Sequence, residues 1–171
     1  MLNKLIVVIN GKGGVGKDTL CDSISKKYNV MNVSAIDPIK KIAREHGWNG
    51  EKDDKSRCFL AELKRTFAKY NDLPTEYLKG KTIEFFNSNN EVLFVHIREA
   101  DQIEHYKQAI YPQKCVTLLI TRATFDNNHL FGNAADDYVD NYEYDFVFQN
   151  DMSIEESATA FCSFIESLRL I

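Results

Sequence analysis

The chain has no excess of basic residues: 21 lysines and arginines stand against 25 aspartates and glutamates, for a formal net charge of −4 over 171 residues. Nucleic-acid backbones select basic surfaces, so this balance argues against a nucleic acid polymer as partner and confines any phosphate binding to a local site. Paired cysteines are also missing. Cys21, Cys58, Cys115 and Cys162 lie far apart and form no Cys-x-x-Cys, and the last three fall within apolar patterns. That spacing speaks for reduced core thiols rather than a zinc site or a disulfide frame. No apolar run approaches the roughly 20 residues of a membrane helix, and the first residues pass straight into a strand pattern with no signal peptide. No membrane partner is therefore expected, and the cytoplasm is the expected location. Repeats and low-complexity tracts are lacking as well, and the length suits a single domain, residues 1–171, around one core.

What the chain does carry is concentrated near its start. The apolar run Leu5-Ile6-Val7-Val8-Ile9 is followed by Gly11-Lys12-Gly13-Gly14-Val15-Gly16-Lys17-Asp18-Thr19 and then by apolar residues at helical spacing. A strand feeding a glycine loop that opens into a helix directs backbone N–H groups at one spot, with the positive end of the helix dipole behind them. The spacing Gly-x-x-x-x-Gly-Lys is that of the phosphate loop of nucleotide triphosphatases, in which the lysine reaches the β and γ phosphates. Lys17 takes that role here. Asp18 stands where a Ser or Thr usually offers its hydroxyl to Mg²⁺. A carboxylate is a good magnesium ligand, directly or through water, and it also complements the dipole of a first helical turn. Both readings of Asp18 stand at this point.

Beyond the loop, Leu20, Ile24 and Tyr28 predict a helix of about three turns. Residues 30–36 predict a second strand, ending at Asp37-Pro38, an N-cap acid with proline at the first helical position. Strands three to five are expected at 92–97, 115–120 and 146–148. A last helix begins with the capping box Ser153 and Glu156 and has Ile154, Ala158, Phe161, Ile165 and Leu168 inward. Near-continuous apolar strands alternating with helices predict an α/β fold of three layers, a five-stranded parallel sheet with helices on both faces. Two stretches exceed what crossovers need. Residues 47–90 carry two further helices, with Leu60, Leu63, Phe67 and Tyr70 on the inner face of the first, and form an expected helical insert for holding an acceptor. Residues 122–144 lack a clean period and form an expected mobile lid.

Two families resemble this chain. Lys12 to Lys17 is similar to the deviant loop of the partitioning and nitrogenase-iron-protein ATPases, in which a lysine at the Lys12 position reaches across a dimer. Asp18 and the strand ending Ile36-Asp37-Pro38 depart from that pattern. The set Gly16-Lys17-Asp18-Thr19, Ala35 to Lys41, Glu51-Lys52-Asp53 with Arg57, Ile97-Arg98-Glu99 and Asp145 to Asp151 resembles the deoxynucleoside monophosphate kinase group of phosphate-loop kinases, over nearly the whole chain. This second resemblance implies transfer of the γ-phosphoryl of ATP to a nucleoside monophosphate, with Mg²⁺ bridging the donor phosphates. It gives the loop residues, Arg122 and Asn150 to the donor nucleotide, Asp18 to the metal, and Lys17, Arg98 and Arg122 to catalysis. Asp37, Lys40, Arg57, Arg98 and Glu99 fall to the acceptor.

Plain structural roles compete at several of these positions. Arg98 can pair with Glu99 or Asp101, Asp37 is explained as an N-cap, and Lys40, Arg44, Arg57 and Arg122 can be solvated surface cations. Two features depart from the kinase pattern. His96 stands where the resembling kinases carry an aspartate two residues before the arginine, and no lysine or arginine occurs between Arg122 and Arg169. Kinases of other phosphorylated metabolites, such as dephospho-coenzyme A or phosphomevalonate, and a regulatory module that binds ATP or dATP without transferring phosphate remain alternatives. Oligomeric state is not legible.

Overall fold

In a computed structural model of the protein, the described residues are 4–51, 53–123 and 139–170. Five strands, β1 (Leu5–Asn10), β2 (Val30–Ser34), β3 (Val92–His96), β4 (Val116–Thr121) and β5 (Phe146–Gln149), form one sheet in the order β2-β3-β1-β4-β5. Every pairing is parallel. The helices among the described residues are α1 (Lys17–Ile24), α2 (Asp37–Glu45), α3 (Asp54–Asn71), α4 (Leu73–Phe86), α5 (Ala100–Ala109) and α6 (Ile154–Leu168), with a short 3-10 turn at Val139–Asn141.

The alternation of β1 explains the three layers. Leu5, Val7 and Ile9 point into one cluster with Leu20 and Ile24 of α1 and Phe161 and Ile165 of α6. Ile6 and Val8 point into the opposite cluster with Leu78 and Phe85 of α4 and Ile103 and Tyr106 of α5. All six β1 residues are buried, as a strand covered on both faces requires. Because β1 lies inside the sheet, its carboxyl end and the loop that follows sit at the middle of one edge. In open α/β sheets, ligands bind at this edge where strand order reverses.

The stretch 47–90 divides. Helix α4 covers the sheet and belongs to the core, through Leu78 and Phe85. Helix α3 packs with α2 around a separate small cluster of Ile39, Ala43 and Leu60, with Trp48, Leu63 and Phe67 against it. The N-terminal end of α3 is capped by Asp53, whose carboxylate accepts the Ser56 N–H at 2.7 Å.

Several sequence expectations change. Helix α1 ends at Ile24, because N–H groups of residues 25–27 bond three residues back and turn the chain toward β2; Tyr28 lies beyond it, still against the core. β2 stops at Ser34. Asp37 is the first residue of α2 and not its cap: Ile36 holds that position, and the Asp37 carboxylate accepts the Ser34 N–H at 2.7 Å. Tyr70 and Ile154, placed on inner stripes by spacing, are 82% and 70% exposed. Cys58 is exposed on α3, Cys115 and Cys162 are half-buried, and Cys21 alone among the four is buried; all are free thiols. The expected lid lies mostly outside the described residues.

Candidate functional site

At the carboxyl edge of the sheet a cleft of about 760 Å³ opens between the glycine loop and the α2–α3 pair. Close packing beneath the loop leaves no room for a side chain at two of its glycines. Gly11 has φ +145°, and a Cβ there would lie 2.5 Å from the Ile120 carbonyl oxygen of the neighbouring strand, so the chain passes only as glycine. Gly16, at the start of α1, has φ +91°, and a Cβ would lie 2.6 Å from the Asn150 amide. Asn150 itself is buried and donates to the Val15 carbonyl at 2.8 Å. Asn150 thus braces the loop from beneath.

A residue the sequence reasoning did not single out organises the loop's other end. Asn10, the last residue of β1, is 1% exposed, and its amide is fully used. Its Oδ1 accepts the Gly11 N–H at 2.9 Å, and its Nδ2 donates to the Arg98 carbonyl at 3.1 Å and the Tyr144 hydroxyl at 2.7 Å. Tyr144 donates onward to the Val139 carbonyl at 2.9 Å. One side chain therefore joins the start of the loop, the backbone of Arg98 after β3, and the segment that leads into β5. A polar residue ending an otherwise apolar strand was the only sign of this in the sequence.

The charged groups converge on the cleft. The Lys17 ammonium donates to the Gly11 carbonyl and, at 3.0 Å, to the Lys12 carbonyl. Burial, with the Arg98 charge second, lowers its pKa from 10.5 to about 8. Arg98 lines the cleft and keeps much of its surface open to it; enough protein surrounds the guanidinium for desolvation to lower its pKa, with Glu99 opposing and the Arg57 charge adding to the drop. Arg98 thus repels both Lys17 and Arg57 across one space, which favours an anion there. Lys40 and Arg44 of α2 also line the cleft. Lys64, missed in the sequence, is 7% exposed on α3 and pairs with Glu99 at 2.6 Å, tying α3 to the turn after β3.

Asp18 and Thr19 are exposed and line the cleft beside Lys17. Among the described residues no group of three or more His, Cys, Asp or Glu side chains forms a metal cage. A single carboxylate beside a phosphate loop suits Mg²⁺, which takes one or two protein oxygens and completes its shell with water and phosphate. His96 lines the cleft at the end of β3, and burial lowers its pKa below the ordinary histidine value, so its ring is neutral at physiological pH.

Six expected site residues are not in the lining of this cleft: Gly11, Val15 and Asn150, which belong to the loop and its support, and Asp37, Arg122 and Lys12. Asp37 is occupied with Ser34 and does not line it. Arg122 is exposed after β4, outside the lining. Lys12 is 8% exposed and pairs with Asp140 of the same chain at 3.1 Å, so it turns inward rather than toward a second copy.

No family model matches the sequence, and no curated protein matches it. Solved structures do. The tunicamycin resistance protein of Deinococcus radiodurans superposes with a TM-score of 0.56 at 11% identity, covering 95% of each chain. Shikimate kinase from Aquifex aeolicus gives 0.55 at 14% identity, covering 97% of this chain and 99% of its own. A kinase-like protein from Chloroflexus aurantiacus, titled a putative kinase, gives 0.54 at 11% identity, covering 98% and 97%. At such identities the likeness is one of fold, and the chain has the three-layer α/β fold of the phosphate-loop kinases.

Proposed function

We propose that the protein transfers the γ-phosphoryl group of ATP to a small phosphorylated acceptor, a deoxynucleoside monophosphate. The observation that carries this reading is the convergence of Lys17 with Arg98 and Arg57 across one cleft, cations from the loop and from the acceptor side facing a common space. A neutral acceptor needs no such cluster; a phosphate does. Phosphoryl transfer asks a protein mainly for position and charge, and both are supplied here by named groups.

The loop amides cradle the donor phosphates, and Lys17 exchanges its bonds to the Gly11 and Lys12 carbonyls for phosphate oxygens. Arg98, with Arg57, holds the acceptor phosphate, and Lys40 and Arg44 add to the local potential. Asn10 keeps Gly11 and the Arg98 backbone in register, which matters because a misplacement of about 1 Å can cost a hundredfold in rate. Asp18 is the residue to hold Mg²⁺, which when bound neutralises the charge of the bridged phosphates.

The test is incubation of the protein with γ-labelled ATP, Mg²⁺ and, in turn, each deoxynucleoside monophosphate, dephospho-coenzyme A and phosphomevalonate. Label on one or more acceptors supports the reading. Label only on dephospho-coenzyme A or phosphomevalonate moves the reading to another kinase of this fold. A second reading, a regulatory module that binds ATP or dATP, is favoured by His96: a neutral imidazole stands where the resembling kinases carry an aspartate. Nucleotide binding with no labelled acceptor at all selects the module.

A further inference from the structure

One buried polar atom beside the cleft is left without a partner by the fold. Trp48, the single tryptophan of the chain, follows α2 and lines the cleft. Its backbone N–H donates to the Ala43 carbonyl at 2.9 Å, and its ring packs on the cluster of Ile39, Ala43 and Leu60 that joins α2 to α3. The Arg44 guanidinium lies 5.4 Å from the ring centroid. The indole Nε1–H is sealed from water and is the one buried side-chain nitrogen or oxygen among the described residues that makes no hydrogen bond. Lys64, buried on the neighbouring α3, has Glu99.

Native folds supply a partner to nearly every buried donor, because the loss of hydration is otherwise uncompensated. An indole N–H is a donor only, so what satisfies it is a lone pair. Nothing on α2 or α3 offers one. The charges around it bear on what does: Lys40, Arg44, Arg57 and Arg98 already supply cations for a phosphate, whereas Leu60 and Ala61 give the cleft an apolar wall. A neutral donor that a turn of the indole brings to that wall is suited to the uncharged part of a ligand, such as a carbonyl oxygen or ring nitrogen.

We propose that Trp48 is a specificity-determining residue of the acceptor half of the cleft, whose Nε1–H is donated to a lone pair on the uncharged part of the acceptor after a small turn of the indole. The inference rests on the acceptor reading above and adds to it the group that reads the acceptor beyond its phosphate.

Because Trp48 is the only tryptophan, its emission reports on this site alone. The full chain is titrated with dAMP, dCMP, dGMP and dTMP, then with dephospho-coenzyme A and phosphomevalonate, and separately with Mg·AMP-PNP, following tryptophan emission and heat in parallel. The expected result is that one acceptor changes Trp48 emission and Mg·AMP-PNP alone does not. Trp48→Phe, which keeps a ring and lacks the donor, should bind that acceptor about tenfold more weakly. Unchanged affinity of the same variant for Mg·AMP-PNP shows that the fold and the loop survive. An acceptor that binds by calorimetry while leaving emission unchanged, or that binds Trp48→Phe with full affinity, overturns the inference and leaves the kinase reading standing. A shift produced only by one of the two other metabolites upholds the inference and overturns the monophosphate reading. No shift with any of the six overturns the inference.

Discussion

Replacing Lys17 with methionine should make the ligand-free protein more stable while removing its hold on nucleotide. Burial and the Arg98 charge bring the Lys17 pKa from 10.5 to about 8 in the folded chain. Between those two values the folded chain binds fewer protons than the unfolded one, so stability rises with pH across that window, and the penalty is fully present below about 8. At 1.36 kcal/mol per pH unit, holding the charged ammonium costs the fold about 3 kcal/mol near neutral pH. Methionine keeps the volume and removes the charge. It also removes the bonds to the Gly11 and Lys12 carbonyls, each worth about 1 kcal/mol net. The balance is a gain of about 1 kcal/mol, or about 2–4 °C in melting temperature for a chain of this size. The assay is thermal melting of both proteins by circular dichroism near neutral pH and again well above the Lys17 pKa. The variant should melt higher near neutrality, the difference should shrink or reverse at the higher pH as Lys17 loses its proton, and Mg·AMP-PNP should raise the melting temperature of the wild type only. A variant that melts lower near neutral pH, or a difference that does not depend on pH, refutes the reasoning.

Other substitutions follow from the same contacts. Gly16→Ala forces a left-handed conformation on alanine and drives its Cβ into the Asn150 amide, so stability should fall by about 1–2 kcal/mol or more and nucleotide binding should be lost, as read by chemical denaturation and calorimetry. Tyr144→Phe takes one partner from the buried Asn10 amide and should cost about 1 kcal/mol; transfer should slow while the KM for ATP holds, a split that steady-state kinetics measures. Lys4→Met strips the ammonium that caps the end of α4 through the carbonyls of Phe85, Ser88 and Asn90, and urea denaturation should show a loss of about 2 kcal/mol.

The sheet was legible because its signal is local. Buried parallel strands are apolar on both faces, so Leu5–Asn10 and Val92–His96 announce themselves without reference to the rest of the chain. The loop was legible because Gly11, Gly14 and Gly16 answer a backbone demand for positive φ, and the Ser153–Glu156 capping box because its two bonds close within one helical turn. What was not legible depends on distant partners. Asp37 is a local exception: its carboxylate takes the Ser34 N–H three residues back, while Ile36 holds the cap position. Ile154 has helical spacing yet lies 70% exposed in the first turn of α6, whereas Phe161 and Ile165 of the same helix are buried in the core. Lys64 gave no signal of its own, because Glu99, its partner, lies 35 residues away. Asn10 is one polar letter after five apolar ones, and its role exists only once Arg98 and Tyr144 arrive from 88 and 134 residues away. Trp48 gave no periodic signal at all, sitting in a polar turn.

The central claim is that the loop at residues 11–19 holds the polyphosphate of a nucleotide, with Lys17 as its cation. Calorimetric titration with Mg·AMP-PNP tests this directly when repeated across pH. One-to-one binding that weakens as pH rises through about 8, where Lys17 gives up its proton, is the predicted result. No heat at any pH, or binding that Lys17→Met leaves intact, contradicts it.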